Sequence, residues 1–151
     1  MNLRRWALWG LGALATVWGL AYADLVLRAR SAFLEGEKYM LWARQPDLKK
    51  AWFDARLDED KVRIEGEVAS GRLTALEGKE RVEVARFARD EAVAESSLKY
   101  AYHWYQTTVE LFSPPESRWV RRARERMAEA KRLWKAELDS KKIPYQDYML
   151  E

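Results

Sequence analysis

Residues Ser96–Met127 read SSLKYAYHWYQTTVELFSPPESRWVRRARERM, and this stretch decides the fold class. Its first half is aromatic and helix-permissive up to Phe112. Ser113-Pro114-Pro115 then interrupts it. In the second half Trp119, Val120, Ala123 and Met127 recur at three- and four-residue steps, and Ala130, Trp134 and Leu138 continue the stripe. That period is the signature of an amphipathic helix. The other faces carry Arg118, Arg121, Arg122, Arg124, Arg126, Lys131, Arg132 and Lys135. Ser113 and Glu116 have capping-box spacing, with proline at the first helical position, so the spacing predicts a helix starting at Pro114. The expected unit is an antiparallel hairpin whose packing residues are Trp104, Tyr105, Trp119 and Trp134.

Upstream, the chain reads as more helix. Thr74-Ala75-Leu76-Glu77 is a second capping box, and no proline follows before Pro114. A helix of about 38 residues, near 57 Å, is therefore allowed from Thr74 to Phe112. Two apolar seams run along it, one through Phe87, Leu98, Ala101, Tyr105 and Phe112. The other passes through Val84, Val93, Tyr100, Trp104 and Leu111. Together they predict a wide buried arc towards its C-terminal end. Pro46 suits the first turn of an earlier helix, which Ser70-Gly71 ends. Val62, Ile64 and Val68 within it fit a helix better than a strand, because a lone strand has no partner. From Asp24 to Arg44 nothing breaks a helix. Leu25, Ala29, Ala32, Phe33, Gly36, Met40 and Ala43 form its stripe, and Gly36 invites close approach by a facing helix.

The N-terminal segment is of another kind. Trp6–Ala23, WALWGLGALATVWGLAYA, carries no charge. Its eighteen residues span about 27 Å, close to the thickness of a bilayer's hydrocarbon core. Trp6, Trp9 and Trp18 suit the headgroup boundary, and Arg4-Arg5 suits the cytoplasmic side. The reading is a retained anchor, with the rest of the chain in the periplasm of a bacterium whose inner membrane it spans. A competing reading takes Ala21-Tyr22-Ala23 as a signal-peptidase site that releases a soluble periplasmic protein. The expected layout is an anchor or signal peptide over 1–23, an exported α-helical domain over 24–138 and a tail over 139–151.

Composition narrows the chemistry. There are 151 residues, 13% aromatic with eight Trp, and 27 Lys+Arg against 24 Asp+Glu, a net +3. So small an excess does not call for nucleic acid, and this many aromatics argue against disorder. Cysteine is absent, which excludes disulfides, thiolate metal sites and Cys nucleophiles. His103 is the only histidine, and no nucleophile or orienting carboxylate is indicated beside it. Asp58-Glu59-Asp60 lacks the glycine and ligand spacing of a calcium loop. No catalytic, cofactor or metal site is expected. Candidate contacts with a partner are Arg118, Arg121, Arg122, Lys131 and Arg132 on the basic face, and Tyr145, Tyr148 and Leu150 in the tail. The tail is too apolar to idle; it folds back on the helices or docks in a partner's groove.

Ala101, Tyr105, Gln106, Val109 and Leu111-Phe112, then Pro115, Ser117, Trp119, Ala123 and Arg124, resemble one unit of a tetratricopeptide-type repeat, in the form found in bacterial envelope proteins. Asp24–Arg44, with Gly36 and Tyr39 three apart, resembles a repeat's first helix. There is no second full copy, and residues 46–95 match no repeat. The resemblance implies a helical module that binds protein. The sequence-level expectation is thus an all-α chain: an N-terminal transmembrane or signal helix, then a small hairpin bundle. Its expected role is that of a non-enzymatic adaptor whose partners are the membrane and envelope proteins, or a second copy. A released binding protein or chaperone is the alternative.

Overall fold

A computed structural model describes the backbone of residues 3–150 and the side chains of residues 9–148 and 150. Among the described residues the regular structure is entirely helical: α1 Leu3–Arg44, α2 Pro46–Ala69, α3 Ala75–Ala94, α4 Ser97–Leu111 and α5 Arg118–Ser140. A short 3₁₀ turn, Asp147–Leu150, closes the chain.

Each boundary has a local cause. α1 runs 42 residues without a break and stops at Gln45 because the following proline disfavours helical backbone there; Gln45 sits at φ −133° and ψ 78°. α2 then starts with Pro46 in its first turn, as expected. Thr74 caps α3 with both halves of the capping box formed. The expected long helix from Thr74 to Phe112 is divided. Glu95 adopts extended backbone (ψ 149°), and Ser96 stands at the N-cap position of α4. Adjacent serines offer the backbone local hydrogen bonds that compete with helix, a signal the apolar seams hide. The start of α5 also shifts. Ser113 donates to the Glu116 carboxylate at 3.3 Å, and both residues lie ahead of the helix. Ser117 accepts from the Val120 N–H and caps α5 instead.

The chain forms two compact units, one from Met1–Met40 with Leu98–Glu151, the other from Leu41–Ser97. In the first, Phe33, Met40, Ala101, Tyr102, Tyr105, Ala123, Ala130, Trp134 and Leu150 make the core. Ring contacts fix the helix directions. Phe33 meets Tyr105 at 5.7 Å and Tyr39 meets Tyr100 at 5.2 Å, so α4 runs antiparallel to α1. Phe33 also meets Trp119, and Glu37 meets Arg126, so α5 runs parallel to α1. The result is a three-helix bundle in which the tail helps fill the core: Leu150 is 2% exposed.

The second unit is an α2–α3 hairpin. Gly71 makes its turn at φ +73°, backbone that glycine adopts without strain. A Cβ on Gly78 would stand 2.6 Å from Val68 Cγ2, which shows how close the two helices come. Ion pairs Arg89–Asp54 and Arg81–Glu67 tie them, and buried Lys49 donates to the Glu95 carbonyl at 2.6 Å where α3 ends. Trp42, Trp52 and Phe53 pack ring on ring at one end.

Gly36 sits against the buried Tyr105 ring. An added Cβ would stand 2.5 Å from Cε1, a contact that buried aromatic cannot escape cheaply. Gly36→Ala should therefore destabilise the bundle by about 1–3 kcal/mol. Gly66 has open space around its Cβ position, so Gly66→Ala should stabilise by about 0.5–1 kcal/mol. Chemical denaturation of the full-length protein in mild detergent measures both.

Candidate interaction surfaces

The densest polar cluster joins all three helices of the bundle. The Tyr105 hydroxyl donates to Glu37 Oε1 at 2.5 Å. Arg126 clasps the same carboxylate with two donors, Nε to Oε1 at 2.8 Å and Nη2 to Oε2 at 2.9 Å. Its third donor reaches Glu129 at 2.6 Å. A two-pronged guanidinium–carboxylate contact of this kind fixes geometry as well as adding energy. Burial, and then the Glu37 carboxylate, push the Tyr105 phenol far above its ordinary value, so it stays protonated and cannot serve as a base. The Glu37 hydrogen bond raises Arg126 further above its already high value. The cluster holds charge in place; it is a clamp. The sequence reading missed it because its parts lie 68 and 89 residues apart, and no spacing rule links such positions.

Of the hairpin residues, Tyr105 is fully buried and Trp134 is 6% exposed. Trp104 and Trp119 are half-buried. Trp119 leans on Phe33 at 5.6 Å and carries guanidinium groups around its ring: Arg118 at 4.5 Å, Arg122 at 5.8 Å and Arg30 at 5.9 Å. On the basic face Arg118, Arg121, Arg122 and Arg132 are exposed. Lys131 is half-buried over the Tyr102 ring at 5.7 Å. Arg124 pairs with Glu116, whose carboxyl it holds below its ordinary range.

The tail splits the sequence-level candidates. Tyr148 is exposed and Tyr145 half-buried. Leu150 is spent on the bundle's own core, which removes it from the accessible surface. Asp147 latches the tail to Lys135 Nζ at 2.6 Å, and this hydrogen bond lowers the Asp147 carboxyl below its ordinary 3.8. A carboxyl depressed on folding stabilises above its unfolded value and loses that contribution as pH falls through the folded one. The latch therefore holds at neutral pH and weakens in acid as pH falls through the lowered Asp147 value, a small effect for so exposed a pair.

His103 lies between Tyr102 and Trp134 at 5.4 and 5.8 Å, with Nδ1 3.3 Å from Gln106 Oε1. Among the described residues no cluster of three His, Asp or Glu side chains converges as metal ligands. Asp58 and Asp60 are paired with Lys61 and Arg63.

The apolar seams of α3 depart from expectation. Val84 and Phe87 are 68% and 67% exposed, and Leu111 at the end of α4 is equally open. The hairpin buries only the strip between its two helices. On one side it leaves a groove of about 560 Å³ past Ile64, Leu73, Val84 and Ala88. On the other lies one of about 460 Å³ past Val68, Ala75, Gly78 and Val82. Two helices have one mutual face, so a broad apolar arc on either cannot be fully covered.

Trp9 and Trp18, expected at a membrane boundary, are 78% and 71% exposed, and every residue from Trp9 to Asp24 is exposed. The Trp6 side chain lies outside the described residues. Ala21 and Ala23 of the cleavage motif are exposed on unbroken helix. The helix from Trp9 onward is long and apolar enough to cross a membrane or to serve as a signal sequence. No protein-family model, curated protein or solved structure matches the chain.

Burial separates the two tryptophans. Trp134→Ala should cost about 3–5 kcal/mol, the range for emptying a buried aromatic site, and Trp119→Ala about half that. Thermal and denaturant unfolding of the two variants side by side checks the order.

Proposed function

We propose that the chain is a non-enzymatic, membrane-anchored adaptor on the exported side of a bacterial inner membrane, offering a helical module to protein partners. One observation carries the anchor. The same helix, α1, is exposed at every residue from Trp9 to Asp24 and then supplies Ala29, Ala32, Phe33 and Met40 to a packed core. Leaving a large apolar side chain in water forfeits about 1.5–3 kcal/mol each, and Leu11, Leu14, Val17 and Leu20 are all in that position. A bilayer covers them without any change in the helix. Arg4 and Arg5 ahead of the span favour a cytoplasmic N-terminus.

The adaptor half of the reading rests on the α2–α3 hairpin. The groove past Ile64, Leu73, Val84 and Ala88 fits the apolar stripe of a partner protein's amphipathic helix, which would complete the hairpin as a third helix completes a bundle. The open grooves beside charged Arg63, Glu80 and Arg81 suit a helix with a polar rim. The repeat-type resemblance lies in α4 and α5 rather than in this hairpin, and implies a protein-binding helical module there.

Two measurements test the halves separately. Carbonate-washed membranes should hold the chain at its full 17.8 kDa; a soluble species beginning at Asp24 would overturn the anchor. Val84→Glu with Phe87→Glu should leave the melting temperature within a few degrees of the parent, because both side chains face solvent. The same pair should shrink the complex extracted in mild detergent, and an unchanged particle mass would count against the hairpin as the contact.

A further inference from the structure

We propose that the span-side end of the three-helix bundle rests on anionic phospholipid headgroups, with Arg30, Arg118, Arg121 and Arg122 binding lipid phosphate. This rests on the anchor reading and adds to it a second membrane contact, made by the folded domain itself.

The argument is one of height along a single helix. Ala23 ends the uncharged run of α1. At 1.5 Å per residue, Leu27 lies about 6 Å and Arg30 about 10 Å beyond it. The polar layer on each side of a bilayer is about 5–8 Å deep, and long arginine side chains reach back towards it. The bundle brings two more helix ends to this level. Phe112, just past the end of α4, shares a hollow of about 340 Å³ with Leu27 and Arg28. Trp119, in the first turn of α5, touches Phe33 and Arg30 of α1. The α4 C-terminus thus stands beside the headgroup layer, and the α5 N-terminus about 10–15 Å beyond Ala23, within reach of long arginine side chains.

The chemistry at that end fits. Leu27 and Leu111 are 60% and 68% exposed, apolar side chains suited to the boundary layer. Three of the four arginines stack around the Trp119 ring, which orients a guanidinium through its face and leaves its edge donors free. Those donors match a phosphate in pairs. Among the described residues none of the four is in an ion pair. Of the acidic groups nearby, Asp24 pairs with Arg28, Glu35 with Lys38 and Glu116 with Arg124, although Glu116 also feels Arg121 and Glu125 lies three and four residues from Arg122 and Arg121. The basic character of early α5 is therefore available to a membrane surface, whereas Arg126 and Lys135 further along are held by Glu37 and Asp147.

The chain has no cysteine, so single introduced thiols can carry a fluorophore on the full-length protein in vesicles. Leu111→Cys reports the proposed contact. Ser140→Cys reports the opposite end of α5, about 33 Å away along its axis. Leu14→Cys reports the span. In vesicles containing phosphatidylglycerol, a headgroup-bound quencher should quench the label at 111 and leave that at 140 untouched. Replacing each of the four arginines by Gln should lower the docked-to-undocked ratio about fivefold per site, from the attraction of one basic side chain to an anionic surface. High salt, or phosphatidylcholine alone, should act likewise on the chain that keeps all four arginines, which preserves the test should the multiple variant not fold. Equal quenching at 111 and 140, or quenching at 111 indifferent to lipid charge, salt and arginine replacement, would overturn the contact and leave an acidic protein surface as the ligand of these arginines. A label at 14 that acyl-chain quenchers cannot reach would instead bring down the anchor reading itself.

Discussion

The carboxylate of Glu37 is the point on which the bundle depends. It lies on α1, one residue past the glycine that lets the Tyr105 ring close in. It accepts the Tyr105 hydroxyl from α4 and two donors of Arg126 from α5. Close approach and hydrogen bonding select the same arrangement. Gly36 sets how near α4 can come, and Glu37 sets the register of both neighbours. The clamp sits at the edge of the core, with Arg126 and Glu37 about one-third exposed, so the charges keep part of their hydration. That placement avoids the large desolvation cost of a fully buried pair. The small residues Ala101, Ala123 and Ala130 then let the helices pack tightly on either side.

A consequence of this construction is that α1 has two environments on one rod. Beyond Ala29 its apolar stripe is matched by α4 and α5. From Trp9 to Ala23 it is uncharged and exposed on every side. A helix apolar all round belongs inside a large core or a bilayer. Because the rod does not break, the distance of the bundle from the uncharged segment follows from the rise per residue alone.

The second unit is built on a different principle. The α2–α3 hairpin is closed by the Gly71 turn, the tight contact at Gly78 and cross-helix ion pairs, with little core of its own. Exposed ion pairs of this kind add little stability. Their use is to set which faces of the helices meet, and so which faces stay open. The grooves beside Val84 and Val82 are the result.

What the sequence determined by itself is whatever a helix decides within a few turns. The unbroken run through α1, proline in the first turn of α2, the Thr74 capping box, the stripe of α5 and the uncharged N-terminal segment were all legible. Each depends on residues three or four apart, and that spacing is a property of the helix itself. Tertiary structure decided the rest. Whether Phe87 is covered depends on whether a third helix lies over it, and Phe87's own period carries no such information. Ser117 rather than Ser113 caps α5, accepting from the Val120 N–H. Leu150 left the candidate surface because the returning tail found space among Tyr102, Trp134 and their neighbours. Glu37 and Arg126 became partners across 89 residues. Such pairings belong to the packing of whole helices, where steric fit and the burial of area select one arrangement among many that the local pattern allows.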